Sequence, residues 1–92
     1  MRKLTKDLTY IVKVHHVWYI VHQTGQRSWE AMVFTHLTRN CSESAIHLKG
    51  NSYTLLEQFA KMDEGYNIFG YRDITKMRRD MFEILKAGYI NG

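Results

Sequence analysis

The segment Thr9–His22 constrains the fold more than any other part of the chain, because β-branched and aromatic residues dominate it. These residue types fit the pleated surface of a β-strand. Apolar residues occupy both of its alternating sets of positions. Such a strand is buried on both faces, is bulged midway, or offers an apolar face to a partner. We predict one long strand with a bulge at the pair His15 and His16.

A second strand is predicted at Ser28–Leu37, where apolar and polar residues alternate. A short turn at Gln23–Arg27 joins the two strands, and Gly25 can take the positive φ angle of a tight connection. One face of the second strand carries Trp29, Ala31, Val33 and Leu37. The opposite face carries Met32 and Phe34 among polar residues, so neither face of this hairpin is purely polar.

A short third strand at Ala45–Leu48 and a first helix at residues 52–64 are predicted next. Either Asn51 or Ser52 can cap this helix, because both side chains accept hydrogen bonds from free backbone N–H groups of the first turn. Gly65 follows the last turn and is suited to the left-handed conformation that commonly ends a helix.

The second helix, residues 73–87, has the clearest pattern in the chain. Asp73 is its predicted N-cap, and Gly88 follows its predicted end. Apolar residues recur at helical spacing at Ile74, Met77, Met81, Ile84 and Leu85. The segment Gly65–Tyr71 between the helices is predicted to be an aromatic loop. Either it is a recognition loop, or its rings fill the bottom of the core.

These elements predict an α+β fold, a small antiparallel sheet with two C-terminal helices packed on one face, because the strands precede the helices. The 92 residues are expected to form a single domain, with residues 1–8 as a basic N-terminal arm and the strands within residues 9–48. In this arrangement no chain remains to cover the second face of the sheet.

Composition limits the possible locations and partners. Thirteen basic residues outnumber nine acidic ones, which suits weak attraction to nucleic acid or to acidic proteins. The single cysteine, Cys41, excludes an intrachain disulfide and favours a reducing compartment, so we expect a cytoplasmic location. No apolar run is long enough to span a membrane, and the N-terminal segment does not resemble a signal peptide.

Catalytic and metal motifs are weak. His36, Cys41 and His47 are metal-ligating types, but zinc sites have pairs of ligands two to four residues apart, and that spacing is missing. No nucleophile has a base in a recognisable local pattern, and paired carboxylates are not evident. We therefore expect a protein that is not an enzyme and needs no cofactor or metal.

The uncovered sheet face is the first candidate site, because aromatic residues and methionine are enriched in protein interfaces. The predicted protein-binding residues are His15, His16, Trp18, Tyr19, Met32 and Phe34. This surface predicts a small accessory or inhibitor protein, for instance a viral one, that binds another protein or a second copy of itself.

The alternative is a nucleic-acid-binding module that uses the basic side of the second helix. Its cations would contact phosphates, and nearby rings would stack on bases. The predicted residues are Arg72, Lys76, Arg78, Arg79, Lys86, Tyr66, Phe69 and Tyr71. Against this, Asp80 and Glu83 lie one turn from Lys76 and Arg79 and partly neutralise them.

Overall fold

The computed structural model describes residues 3–33 and 47–91. Its elements in chain order are β1 (Thr9–Val14), β2 (Val17–Gly25), β3 (Ser28–Val33), β4 (His47–Gly50), α1 (Ser52–Met62), β5 (Asn67–Tyr71) and α2 (Ile74–Asn91). The strands form one antiparallel sheet in the order β4-β3-β2-β1-β5. The predicted α+β class with an antiparallel sheet is confirmed.

The long first strand of the prediction is in fact a hairpin. A two-residue turn at His15 and His16 joins β1 to β2, and Val14 pairs with Val17 across it. His15 has a φ angle of 55°. The tight turns that connect hairpins need positive φ at their first central residue, and histidine accepts this conformation more readily than a β-branched residue does. The predicted bulge is therefore a turn.

The second hairpin forms close to its predicted position. β2 runs to Gly25, and the turn consists of Gln26 and Arg27. Gly25 does not have the predicted positive φ; instead, the pairing register shifts between Gln23 and Gly25. The end of the predicted second strand, residues 34–37, lies outside the described residues, as do residues 45 and 46 of the predicted third strand.

The predicted aromatic loop contains an edge strand, β5, which pairs with β1. Gly70 lies opposite Tyr10, and a Cβ atom at Gly70 would lie 3.1 Å from the Tyr10 ring. The absence of a side chain at Gly70 therefore allows β5 to approach β1 over this ring.

The helix N-termini are confirmed. The Thr54 N–H donates to Asn51 Oδ1 at 2.9 Å at the start of α1, and the Thr75 N–H donates to Asp73 Oδ1 at 2.9 Å at the start of α2. These caps satisfy backbone donors that the helices leave unpaired.

The predicted helix C-termini are wrong. α1 ends at Met62, and Asp63 follows it in an extended conformation, with its N–H still donating to the Phe59 carbonyl. None of the described glycines has positive φ, so Gly65 is not a left-handed cap. α2 continues through Gly88 to Asn91, beyond the predicted end at residue 87. Glycine destabilises a helix interior by only about 1 kcal/mol relative to alanine, which the surrounding helix can offset.

The helices pack on opposite faces of the sheet, so the prediction of two helices on one face is wrong. On the α1 face the buried core comprises Leu4, Tyr10, Val12, Val14, Tyr19, Val21, Trp29, Ala31, Leu55, Leu56 and Phe59. On the α2 face it comprises Ile11, Ile20, Met77 and Met81. Because β1 lies between these two cores, it is buried on both sides. This explains why apolar residues occupy both of its alternating sets of positions.

The N-terminal arm is part of the folded structure. Leu4 is buried in the α1-face core, and its N–H donates to Ser52 Oγ. The Thr5 N–H donates to the Tyr10 hydroxyl at 2.7 Å. These contacts hold the basic segment after Lys3 against the end of the sheet.

Candidate functional site

The predicted protein-binding residues are divided between the two sheet faces. Tyr19 is only 5% exposed and lies on the α1 face, where its ring is 5.4 Å from that of Phe59. Its expected exposure is wrong, because its register partner is Val12, which belongs to the same core. Trp18 and Met32 lie on the α2 face and are half-buried. Phe34 lies outside the described residues.

The two turn histidines are exposed, and His15 has a structural contact. Its backbone N–H donates to Asp63 Oδ2 at 2.9 Å, and its ring Nε2 donates to the Met62 carbonyl at 2.7 Å. The N–H groups of His15 and Gly65 hold the pKa of Asp63 below its usual value. The β1–β2 turn is therefore fastened to the end of α1, and His16 stays a predicted binding residue.

One hydrogen bond orients α2 over its sheet face. The Tyr71 hydroxyl, on the edge strand β5, donates to Asp80 Oδ2 at 2.6 Å, so the flank of α2 that carries Asp80 faces β5. At about 100° per residue, Phe82 lies about 200° from Asp80 around the helix. The flank that carries Phe82 therefore points away from β5.

This second flank exposes large apolar side chains. Phe82 is 53% exposed on this flank, and Ile74 is 49% exposed in the first turn of α2, on the side of the helix that also carries the buried Met81. Leu85 extends the same flank and is half-buried against the core. We use the name open flank for four exposed or half-buried apolar residues on the α2 side of the sheet, Ile74, Phe82, Trp18 and Met32.

The sheet beside the open flank is polar. The α2 face carries His22 on β2, Glu30 on β3 and Lys49 on β4. Glu30 pairs with both His22 and Lys49, so the three side chains point to the same face. The Lys13 Nζ lies 5.5 Å from the Trp18 ring, a cation–π distance. An apolar centre with a polar border is the usual composition of a protein-binding surface.

Three of the four predicted nucleic-acid-binding cations of α2 share one side of the helix, and Arg78 does not. Arg78 follows Lys76 by two residues and so lies about 200° away from it around the helix. Lys76, Arg79 and Lys86 are exposed on the outer side, and Arg72 precedes the helix.

The predicted stacking rings are only partly accessible. Phe69 is exposed, but Tyr66 is half-buried with its ring 5.9 Å from Phe59. The Tyr71 hydroxyl is engaged by Asp80, and burial together with this hydrogen bond raises the pKa of Tyr71 to about 12. Tyr71 is therefore a structural link between β5 and α2.

A basic cleft, which the sequence did not predict as a site, opens at the end of the sheet near the start of α1. Lys3, Lys6, Arg27 and Tyr53 line it with other polar residues. No local spacing identifies this set, because the three segments that supply it are joined only by folding. The one hint is that Lys3 and Lys6 flank the apolar Leu4, which anchors the arm.

Other site types find no support in the described part of the chain. His36 and Cys41 lie outside it, and residues 3–33 and 47–91 contain no group of three or more metal-ligating side chains. Within the same ranges, no helix combines the length and apolar character needed to cross a membrane. Comparisons of the chain with protein-family models, curated proteins and solved structures give no match.

Proposed function

We propose that this protein is a non-enzymatic accessory or inhibitor protein that binds another protein through the open flank. The observation that carries the proposal is the exposure of Ile74 and Phe82, 49% and 53%, on the same side of the sheet as the half-buried Trp18 and Met32. Large apolar groups next to partly buried rings gain free energy when a partner removes them from water.

The size of the open flank defines what kind of interface it supports. Complete burial of a large apolar side chain contributes about 1.5–3 kcal/mol, so burying the exposed halves of Ile74 and Phe82 contributes about 1 kcal/mol each. A free-energy contribution of this size fits residues at the centre of an interface. Stable binding also requires contacts around that centre. We expect the polar border of His22, Glu30 and Lys49 to supply them and to select the partner.

The alternative of nucleic-acid binding through α2 has less support, because Arg78 lies away from the other cations and two of the three stacking rings, Tyr66 and Tyr71, are half-buried and engaged within the fold. A second copy of this chain is the simplest protein partner and is tested by sedimentation across a concentration range.

A cytoplasmic location belongs to the proposal on the basis of the single cysteine.

The test uses a photo-crosslinking amino acid at position 82 in cells of the native source. We expect one partner to be crosslinked there, and to be recovered by the wild-type protein but not by Ile74→Ser/Phe82→Ser. The matched control is Met62→Ser, which alters an exposed apolar side chain on α1. The buried halves of Ile74 and Phe82 contribute about 1 kcal/mol each to stability, so thermal unfolding of every variant checks that it folds.

Equal recovery of the crosslinked protein by the wild type and by Ile74→Ser/Phe82→Ser would contradict the proposal. Loss of recovery with Met62→Ser as well would also contradict it, because binding would then not depend on the open flank.

A further inference from the structure

The basic cleft has the size of a small-molecule site. Its volume is about 680 Å³, within the range of about 300–1,000 Å³ that is common for ligand pockets. Its lining comes from the arm, the β2–β3 turn and the start of α1, and comprises Lys3, Leu4, Thr5, Lys6, Gln23, Gln26, Arg27, Trp29, Asn51, Ser52 and Tyr53.

The charge of this lining has one sign. Lys3, Lys6 and Arg27 contribute three cations, and the lining contains no carboxylate. Within residues 3–33 and 47–91, none of the three forms an ion pair. Neighbouring unpaired cations repel one another, and an anion placed between them relieves this repulsion.

The arm is held in position before any ligand arrives. Burial of Leu4 and the hydrogen bonds from the Leu4 and Thr5 N–H groups fix the backbone that carries Lys3 and Lys6. A prearranged backbone lowers the entropy cost of ordering these side chains around a ligand. The first turn of α1 is not the source of attraction, because Asn51 Oδ1 already accepts the Thr54 N–H.

One aromatic ring completes the cleft. Tyr53 is 62% exposed, the highest exposure among the large apolar and aromatic side chains of the described residues. An exposed ring beside cations is the combination that binds nucleotides, because the ring stacks on a base while the cations contact phosphate. Trp29 also lines the cleft but is buried in the α1-face core.

We propose that the basic cleft binds a nucleoside phosphate, with the phosphate on Lys3, Lys6 and Arg27 and the base on Tyr53. The ligand is either a free nucleotide or one unit of a single-stranded nucleic acid. This site is separate from the open flank, which lies on the opposite sheet face.

The test measures binding of two probes across a salt series, a nucleoside monophosphate and a labelled single-stranded oligonucleotide of mixed sequence. For the oligonucleotide, the one phosphate held by the three cations predicts a slope of log K against log salt of about −0.7. The Lys6→Gln/Arg27→Gln variant should bind more than about tenfold more weakly. Its slope should fall toward zero. The charge-matched control is Lys76→Gln/Arg79→Gln on α2, which should bind as the wild type does.

The ring has its own pair of variants. Tyr53→Ala should weaken binding about tenfold, since the stacking of one base is lost. Tyr53→Phe should bind as the wild type does, because it keeps the ring. Thermal unfolding of each variant checks that the fold is retained.

The probes separate the two sources of the ligand. Binding of the monophosphate alone identifies a free nucleotide, and binding of the oligonucleotide identifies a strand; either result with the expected variant effects supports the proposal. Absence of binding to both probes at low salt overturns it. Greater loss with Lys76→Gln/Arg79→Gln, or wild-type binding by Tyr53→Ala, also overturns it.

Discussion

The two faces of the sheet differ in how completely they are buried. Among the described residues, eleven buried side chains form the α1-face core and four form the α2-face core. The α1 face also contains ring pairs, Tyr10 with Trp29 at 6.1 Å and Tyr19 with Phe59 at 5.4 Å. The larger core should contribute most of the stability, since hydrophobic stabilisation grows with the apolar area buried.

The difference originates in β3 and β4. On the α1 face these strands present apolar residues, Trp29, Ala31 and Leu48. On the α2 face the same strands present the charged Glu30 and Lys49 and only the half-buried Met32 as an apolar residue among those whose exposure is described. The second core therefore stops at β2, and the apolar flank of α2 beyond that point stays exposed. One face stabilises the fold, and the other leaves a surface available for binding.

The largest effect is expected for Phe59→Ala, which should lower the free energy of unfolding by about 3–5 kcal/mol. Phe59 is fully buried, and its ring contacts those of Tyr19 and Tyr66, so its removal leaves a cavity in the larger core. Urea unfolding followed by tryptophan fluorescence measures the change. A loss below about 1 kcal/mol would show that the α1 face is not the main source of stability.

A smaller loss, about 2–3 kcal/mol, is expected for Met81→Ala on the α2 face. Met81 is buried, but fewer neighbours surround it, and α2 can move toward the sheet to close part of the cavity. The same urea titration gives the comparison. If Met81→Ala proves more costly than Phe59→Ala, the ranking of the two faces is reversed.

Tyr71→Phe should cost about 1 kcal/mol, since it removes one hydrogen bond that fastens α2 to β5. Burial and the Asp80 contact raise the pKa of Tyr71 from 10.0 to about 12. The folded state holds the phenol proton more tightly, so this contribution is complete below pH 10 and is lost as the pH rises toward 12.

Phenolate absorbance during an alkaline titration checks this assignment. The Tyr71→Phe variant should lack one late-titrating phenol, whereas Tyr19, whose pKa burial also raises, should remain. An unchanged titration curve would show that Tyr71 is not the perturbed group.

The smallest effect concerns the link between the β1–β2 turn and α1. The His15 and Gly65 N–H groups lower the pKa of Asp63 below 3.8, so the folded state favours the ionised carboxylate. Its contribution is present above pH 3.8 and is lost as the pH falls through the lower folded value.

We therefore expect the Asp63→Ala variant to lose less stability than the wild type between about pH 6 and about pH 3. Urea midpoints at several pH values measure this. Parallel curves for the two proteins would mean that Asp63 does not contribute to the acid sensitivity.

The periodic parts of the sequence predicted the elements well. Local patterns predicted the antiparallel strands, the helix caps Asn51 and Asp73, and the α+β class. These features depend mainly on interactions between residues that are close together in the chain. The hairpin turn at His15 was missed because neither turn residue is glycine or asparagine. The strand β5 was missed because an edge strand of five residues with a glycine has the composition of a loop.

The candidate surfaces were harder to predict than the elements. Either Trp18 or Tyr19 was expected on the exposed face, because neighbouring strand residues point to opposite faces, and the register places Tyr19 in the α1-face core. The cations of the basic cleft come from segments far apart in the chain, and no local pattern joins them.

By itself the sequence determined that β1 is apolar on both sides, that the second half of the chain contains two amphipathic helices, and that no catalytic motif is evident. Only the tertiary structure decided that the helices cover opposite faces, because α2 begins after an edge strand from which it can cross to the second face. Local periodicity reports which side of an element is apolar. The partner of that side depends on chain connections and register, which only the complete fold specifies.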